Sequence, residues 1–136
     1  SRILPSDGIL NNISEYQNNM KSNIDQIIES MPKDSSWSYT LVNSDSNRST
    51  LLAQMPGEGN RRHYHDNWDE WWLIIKGEWE FEYDNKLLNA SKGDLIYLKR
   101  NTIHKIKAIG EHLSVRMAVS RDDVEHIYLE KDYNNE

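Results

Sequence analysis

Residues 57–77 read GEGNRRHYHDNWDEWWLIIKG and place His63, His65 and Glu70 in the order H-x-H-x4-E. The chain has only five histidines, and two of them stand two apart beside an acidic cluster. Residues i and i+2 of a β-strand point to the same face, so His63 and His65 are expected to project in parallel. Glu70 follows a short polar turn, Asp66-Asn67, and opens the apolar run Trp71–Ile75. If that run pairs back antiparallel, the carboxylate arrives beside the two imidazoles. A third imidazole is offered by His104, in the stretch GDLIYLKRNTIH. Three neutral nitrogens and one carboxylate suit a divalent first-row metal.

Gly57, His63, His65, Glu70 and Gly77 fit every defined position of the first cupin motif, G-x5-H-x-H-x3,4-E-x6-G. Gly93 and His104 match the second, G-x5-P-x-G-x2-H-x3-N, which has Lys99, Asn101 and Ala108 where Pro, Gly and Asn are usual. Asn tolerates the left-handed backbone that a Gly would adopt. Over about residues 50–120 the chain therefore resembles the cupins. The resemblance implies an all-β fold, a single small antiparallel jelly-roll barrel. It further implies that His63, His65, Glu70 and His104 ligate one metal inside it, with iron(II) as the first expectation and Mn, Ni or Zn as substitutes.

A chain of 136 residues suggests one domain with a real core. A net charge of −6 and a pI near 5.3 argue against nucleic acid or an anionic membrane as partner. Without cysteine there is neither a disulfide framework nor a thiolate site, which fits a cytoplasmic protein. No signal peptide is visible at the N-terminus, and no apolar run reaches the ~18 residues of a membrane span.

Ile9, Ile13, Tyr16, Met20, Ile24, Ile27 and Met31 recur at helical spacing before Pro32, so a helix is expected over residues 9–31. Residues 1–34 then form a helical extension, 35–120 the barrel, and 121–136 a short C-terminal helix and tail, all one domain. The helix start is read from Ser120 with the early acids Asp122 and Asp123. The run after Glu70 is apolar on both strand faces, so both are expected to be covered. Cover would come from the N-terminal helix or from a second copy, which makes a homodimer the expected assembly. Past Gly77 the apolar parity flips to Trp79, Phe81 and Tyr83, which leaves either a bend there or aromatics on the outer surface.

Arg61 shares the parity of His63 and His65 and is expected to point inward, where a guanidinium can clamp a carboxylate or phosphate. Arg62 is expected to point outward. Arg116 is a further inward candidate, Trp72 is expected to line the pocket, and Tyr97 is the candidate acid or base. His112 and His126 fit no ligand spacing and are read as surface residues. The function read from these residues is a mononuclear non-haem iron dioxygenase acting on a small anionic molecule. A metal-assisted isomerase, epimerase or lyase, and a non-catalytic ligand-binding module, remain as other classes.

Overall fold

The computed structural model describes residues 19–129, which form one short helix and ten strands. The helix is α1 (Ile24–Ser30); the first five strands are β1 (Trp37–Asn43), β2 (Arg48–Gln54), β3 (His63–Tyr64), β4 (Glu70–Lys76) and β5 (Glu78–Tyr83). They continue with β6 (Lys86–Ser91), β7 (Leu95–Leu98), β8 (His104–Ile109), β9 (Ser114–Ser120) and β10 (Ile127–Tyr128). Two antiparallel five-stranded sheets result, ordered β1-β2-β9-β4-β7 and β10-β3-β8-β5-β6. They pack face to face as a jelly roll, but no continuous ladder among the described residues closes them into a barrel.

Strand parity sorts the side chains into two cores. Trp72, Ile74, Ile96 and Leu98 of the first sheet meet Trp79, Phe81, Ile106 and Ala108 of the second in the space between the sheets. The opposite face of the first sheet carries Leu41, Leu51, Ala53 and Val115, covered by Ile24, Ile27 and Ile28 of α1. That cover lies over β1, β2 and β9 and reaches the two-sided apolar run of β4 only at Ile75. Trp71 and Leu73 of β4 stay half-buried, beside Leu95 at 59% and Tyr97 at 58% exposure.

Gly77 accounts for the flipped parity. The β4–β9 register slips between Ile74 and Lys76, and the chain then crosses at Gly77 from one sheet to the other. Gly77 has φ +84°, and a Cβ there would lie 2.0 Å from Ser114 Oγ, so neither the backbone nor the space admits a side chain. Trp79 and Phe81 consequently face the inner core, not the outer surface.

Both helix expectations need correction. The described part of the N-terminal helix covers only Ile24–Ser30, capped by Asn23, whose side chain accepts from Gln26 N. Met20 lies before it and is fully exposed; the earlier part of the expected span falls outside the described residues. The expected C-terminal helix is a turn followed by β10, which pairs with β3. The backbone there is engaged elsewhere: the Asn67 side chain donates to Asp123 O and accepts from Glu125 N. Those bonds hold the segment extended, and the local capping pattern is overridden.

Candidate metal centre

His63 of β3 and His104 of β8 are direct cross-strand partners, which sets their rings 4.4 Å apart. His65 follows just beyond β3, with its ring 4.9 Å from His63 and 5.1 Å from His104. All three residues are 1% exposed. Glu70 enters from the other sheet, with Oε1 2.8 Å from His65 Nε2 and a side chain 12% exposed. Asp69 fixes that entry: its carboxylate accepts from Arg100 N and Nε and from the Tyr97 hydroxyl, while Ser120 Oγ donates to its carbonyl. The loop after β7 is tied to the centre as well. Asn101 N donates to His65 O at 2.6 Å, and Asn101 adopts φ +72°, the left-handed conformation expected where the motif usually carries Gly.

The second nitrogen of each imidazole decides what the first can do. Nδ1 of His63 meets Arg61 O at 2.6 Å, that of His65 meets Glu125 O at 2.9 Å, and that of His104 meets Thr102 O at 2.8 Å. A carbonyl oxygen only accepts, so each Nδ1 carries the proton and each neutral ring keeps its lone pair on Nε2. Nε2 of His65 and of His104 is buried and finds no hydrogen-bond partner among the described residues. Glu70 Oε1 is within ion-pair distance of His65, yet it lies off the direction an Nε2–H would take. Buried lone pairs converging beside a carboxylate, each ring oriented by a backbone carbonyl, fit a cation.

Electrostatics agree with a neutral pair of imidazoles. Burial pushes His63 down to about 3 and His104 to about 4. Burial also works against charge on His65, but the negative charge of the Glu70 carboxylate beside it raises it overall. Burial raises Glu70, and His65 and the Trp72 indole outweigh it, so the carboxyl stays below its ordinary range.

The candidate ligand atoms form two overlapping groups that share His65. His65, Glu70 and His104 present ligand atoms all within 4.8 Å of one another and could hold a metal ion. His63 instead forms a second such group with His65 and His126. His126 is exposed, as expected of a surface residue, yet it stands beside the buried imidazoles. Its ring lies 4.6 Å from His65 and 4.9 Å from His63. No local spacing could reveal it, because pairing of β10 with β3 brings it in from some sixty residues away.

Trp72 is 1% exposed, donates Nε1–H to Glu70 Oε2 at 3.0 Å, and lies 5.6 Å from the His104 ring. The Cζ of Arg61 sits 4.0 Å from the ring centroid of Tyr128, the register partner of His63. Arg62 donates to both oxygens of Glu82 at 3.0 and 3.1 Å, on the rim of a cavity of about 430 Å³ that reaches His104. Arg116 lies between the sheets, and burial lowers it to about 10. Tyr97 needs correction as an acid or base: Ile96 and Leu98 take the inner face of β7, so Tyr97 points outward, bonded to Asp69.

The Cupin domain family matches residues 50–120. No curated protein matches the chain. A double-stranded β-helix protein from Klebsiella pneumoniae subsp. pneumoniae superposes with a TM-score of 0.69 at 16% identity, over 82% of this chain and 93% of that one. A cupin 2 domain-containing protein from Halorhodospira halophila gives 0.65 at 16% identity, over 72% of each chain. The polyketide cyclase RemF from Streptomyces resistomycificus gives 0.60 at 16% identity, over 74% of this chain and 76% of that one. At such identities the likeness is one of fold.

Proposed function

This chain belongs to the cupin family, and from that premise we propose that it is a metalloenzyme of the dioxygenase type acting on a small anionic molecule. One divalent cation per chain, iron(II) before Mn, Ni or Zn, would be held by His63, His65, Glu70 and His104. The observation that carries the reading is the tautomer: three Nδ1–H groups anchored on backbone carbonyls leave three Nε2 lone pairs. A cation bound there would supply Lewis acidity toward a substrate oxygen and, as iron(II), the capacity to react with dioxygen.

The protein's own groups do the rest. Burial keeps His63 and His104 neutral and available as donors. The Trp72 indole pins the second oxygen of Glu70, leaving Oε1 to face the imidazoles. Arg61 and Arg116 supply the positive charge that a small anion would meet. A second reading, a metal-assisted isomerase, lyase or cyclase, is favoured by His126. This imidazole stands beside the cluster, partly open to solvent, and is suited to moving a proton. The likeness of fold to a polyketide cyclase is compatible with that chemistry.

Elemental analysis of protein purified without added metal tests the proposal, together with dioxygen uptake over a panel of small carboxylates. About one metal per chain is expected, lost in His65→Ala and His104→Ala. Full occupancy in His104→Ala would overturn the ligand set. A bound metal with no dioxygen uptake on any substrate would favour the second reading.

A further inference from the structure

Arg62, Arg100 and Arg121 each pair with a carboxylate at 3.0–3.1 Å, and all three are at least partly exposed. Arg116 is different. It is 4% exposed, and among the described residues no carboxylate lies within ion-pair distance of it, although the charge of Glu70 acts on it from farther off. Its Nη1 donates to Gln54 Oε1 at 2.6 Å, and its buried Nε meets no acceptor among the described residues. Its Cζ lies 5.1 Å from the Trp72 ring centroid and 4.7 Å from that of Trp79. A guanidinium buried without a directly paired counter-ion is costly, and an apolar side chain of similar volume would avoid that cost.

We propose that Arg116 is the seat of the substrate's carboxylate, taken edge-on by Nε and the adjacent amino group, with Trp72 and Trp79 as apolar walls. The inference rests on the reading of a small anionic substrate and identifies the group that selects it. Gln54 occupies the other edge of the fork, and its amide is itself oriented by donation to Gly59 O at 3.4 Å. The edge bearing Nε is the one left to bind, and it matches a carboxylate bidentately. Strand parity gives a route in. Leu51 and Ala53 pack beneath α1, so Thr50, Leu52 and Gln54 point between the sheets, where they are only half-buried. The distance to the metal centre is one indole, because Trp72 contacts both Arg116 and Glu70. The ligand is therefore a short carboxylic acid with an apolar body, its far end directed at the cation site.

The test uses the full chain, as purified and after chelation, with metal content measured in parallel. Sodium benzoate is titrated by tryptophan fluorescence and thermal shift, against benzamide and inorganic phosphate. Benzoate is expected to quench fluorescence and raise Tm, and benzamide to do neither. Arg116→Met should weaken benzoate binding about a hundredfold, keep its metal, and be at least as stable as the wild type without ligand. Gln54→Leu, which removes the cross-strand bond but keeps the charge, should still bind benzoate. Equal responses to benzoate and benzamide would overturn the proposal, as would tighter binding of phosphate. A destabilised Arg116→Met with its benzoate response intact would instead make Arg116 a brace between β2 and β9. Benzoate binding that depends on Arg116 and survives chelation supports the site even where the metal reading fails.

Discussion

His63, His104 and Trp72 carry the consequences that belong to single residues. In chelated protein, burial holds His63 at about 3 and His104 at about 4, against 6.5 for a solvated imidazole. Between those values the unfolded chain takes up protons that the folded one refuses, so stability falls as pH drops from about 6.5 toward 4. The slope approaches about 1.4 kcal/mol per pH unit for each imidazole. His65 acts in the other window. Its raised pKa contributes stability that is fully present below 6.5 and lost as pH rises through the folded value. Urea unfolding in chelator across pH 5–8 is therefore expected to show a maximum near pH 6.5, and a flat profile below it would mean solvated imidazoles. Trp72→Phe removes the indole N–H from Glu70 Oε2 while keeping an aromatic ring in the core. Metal affinity should drop about 10- to 100-fold, the usual effect of losing a group that orients a ligand, as read by competition with a chromophoric chelator. Unchanged affinity would show that the packing alone fixes Glu70.

At the scale of elements, β10 is the piece with the largest consequence. It is two residues long, yet it closes the edge of the second sheet, and the turn before it delivers Glu125 O to His65 and His126 to the cluster. His126→Ala is expected to retain its metal, since among the described residues no carbonyl anchors its ring as one does each of the other three. His65→Ala should abolish binding, because His65 is common to both ligand groups. Metal loss from His126→Ala, measured by elemental analysis, would instead make His126 a ligand. The loop between β7 and β8 shows how a departure from a motif is accommodated. Asn101 supplies the positive φ of the usual Gly, and its N–H reaches back to His65 O.

For the whole molecule, the outer face of the first sheet is covered unevenly. Helix α1 seals the β2 and β9 side, while Trp71, Leu73, Leu95 and Tyr97 form an apolar strip on β4 and β7. We propose that a second copy covers this strip, as the sequence reading of a homodimer expected. Sedimentation equilibrium at micromolar concentration should give a dimer, and Leu95→Glu should return it to monomer by burying a charge at the contact. A wild-type monomer under those conditions would refute the dimer. Among the described residues no helix is long and apolar enough to cross a membrane.

The sequence by itself determined what strand periodicity and local chemistry can encode. His63 and His65 two apart, a carboxylate opening an apolar strand, and an Asn able to stand where Gly is usual were all legible, and so was the cupin likeness. Only the tertiary structure decided which distant segments meet. It brought His126 to the cluster through a two-residue strand, turned Tyr97 outward, and replaced a well-signalled C-terminal helix with an extended segment. It also resolved the parity flip at Gly77, where the backbone passes against Ser114 on a strand thirty-odd residues later. The common reason is that local patterns fix a side chain's face only relative to its own strand. Which face becomes the interior, and whether a buried charge such as Arg116 meets a partner there, depends on contacts between segments far apart in the chain.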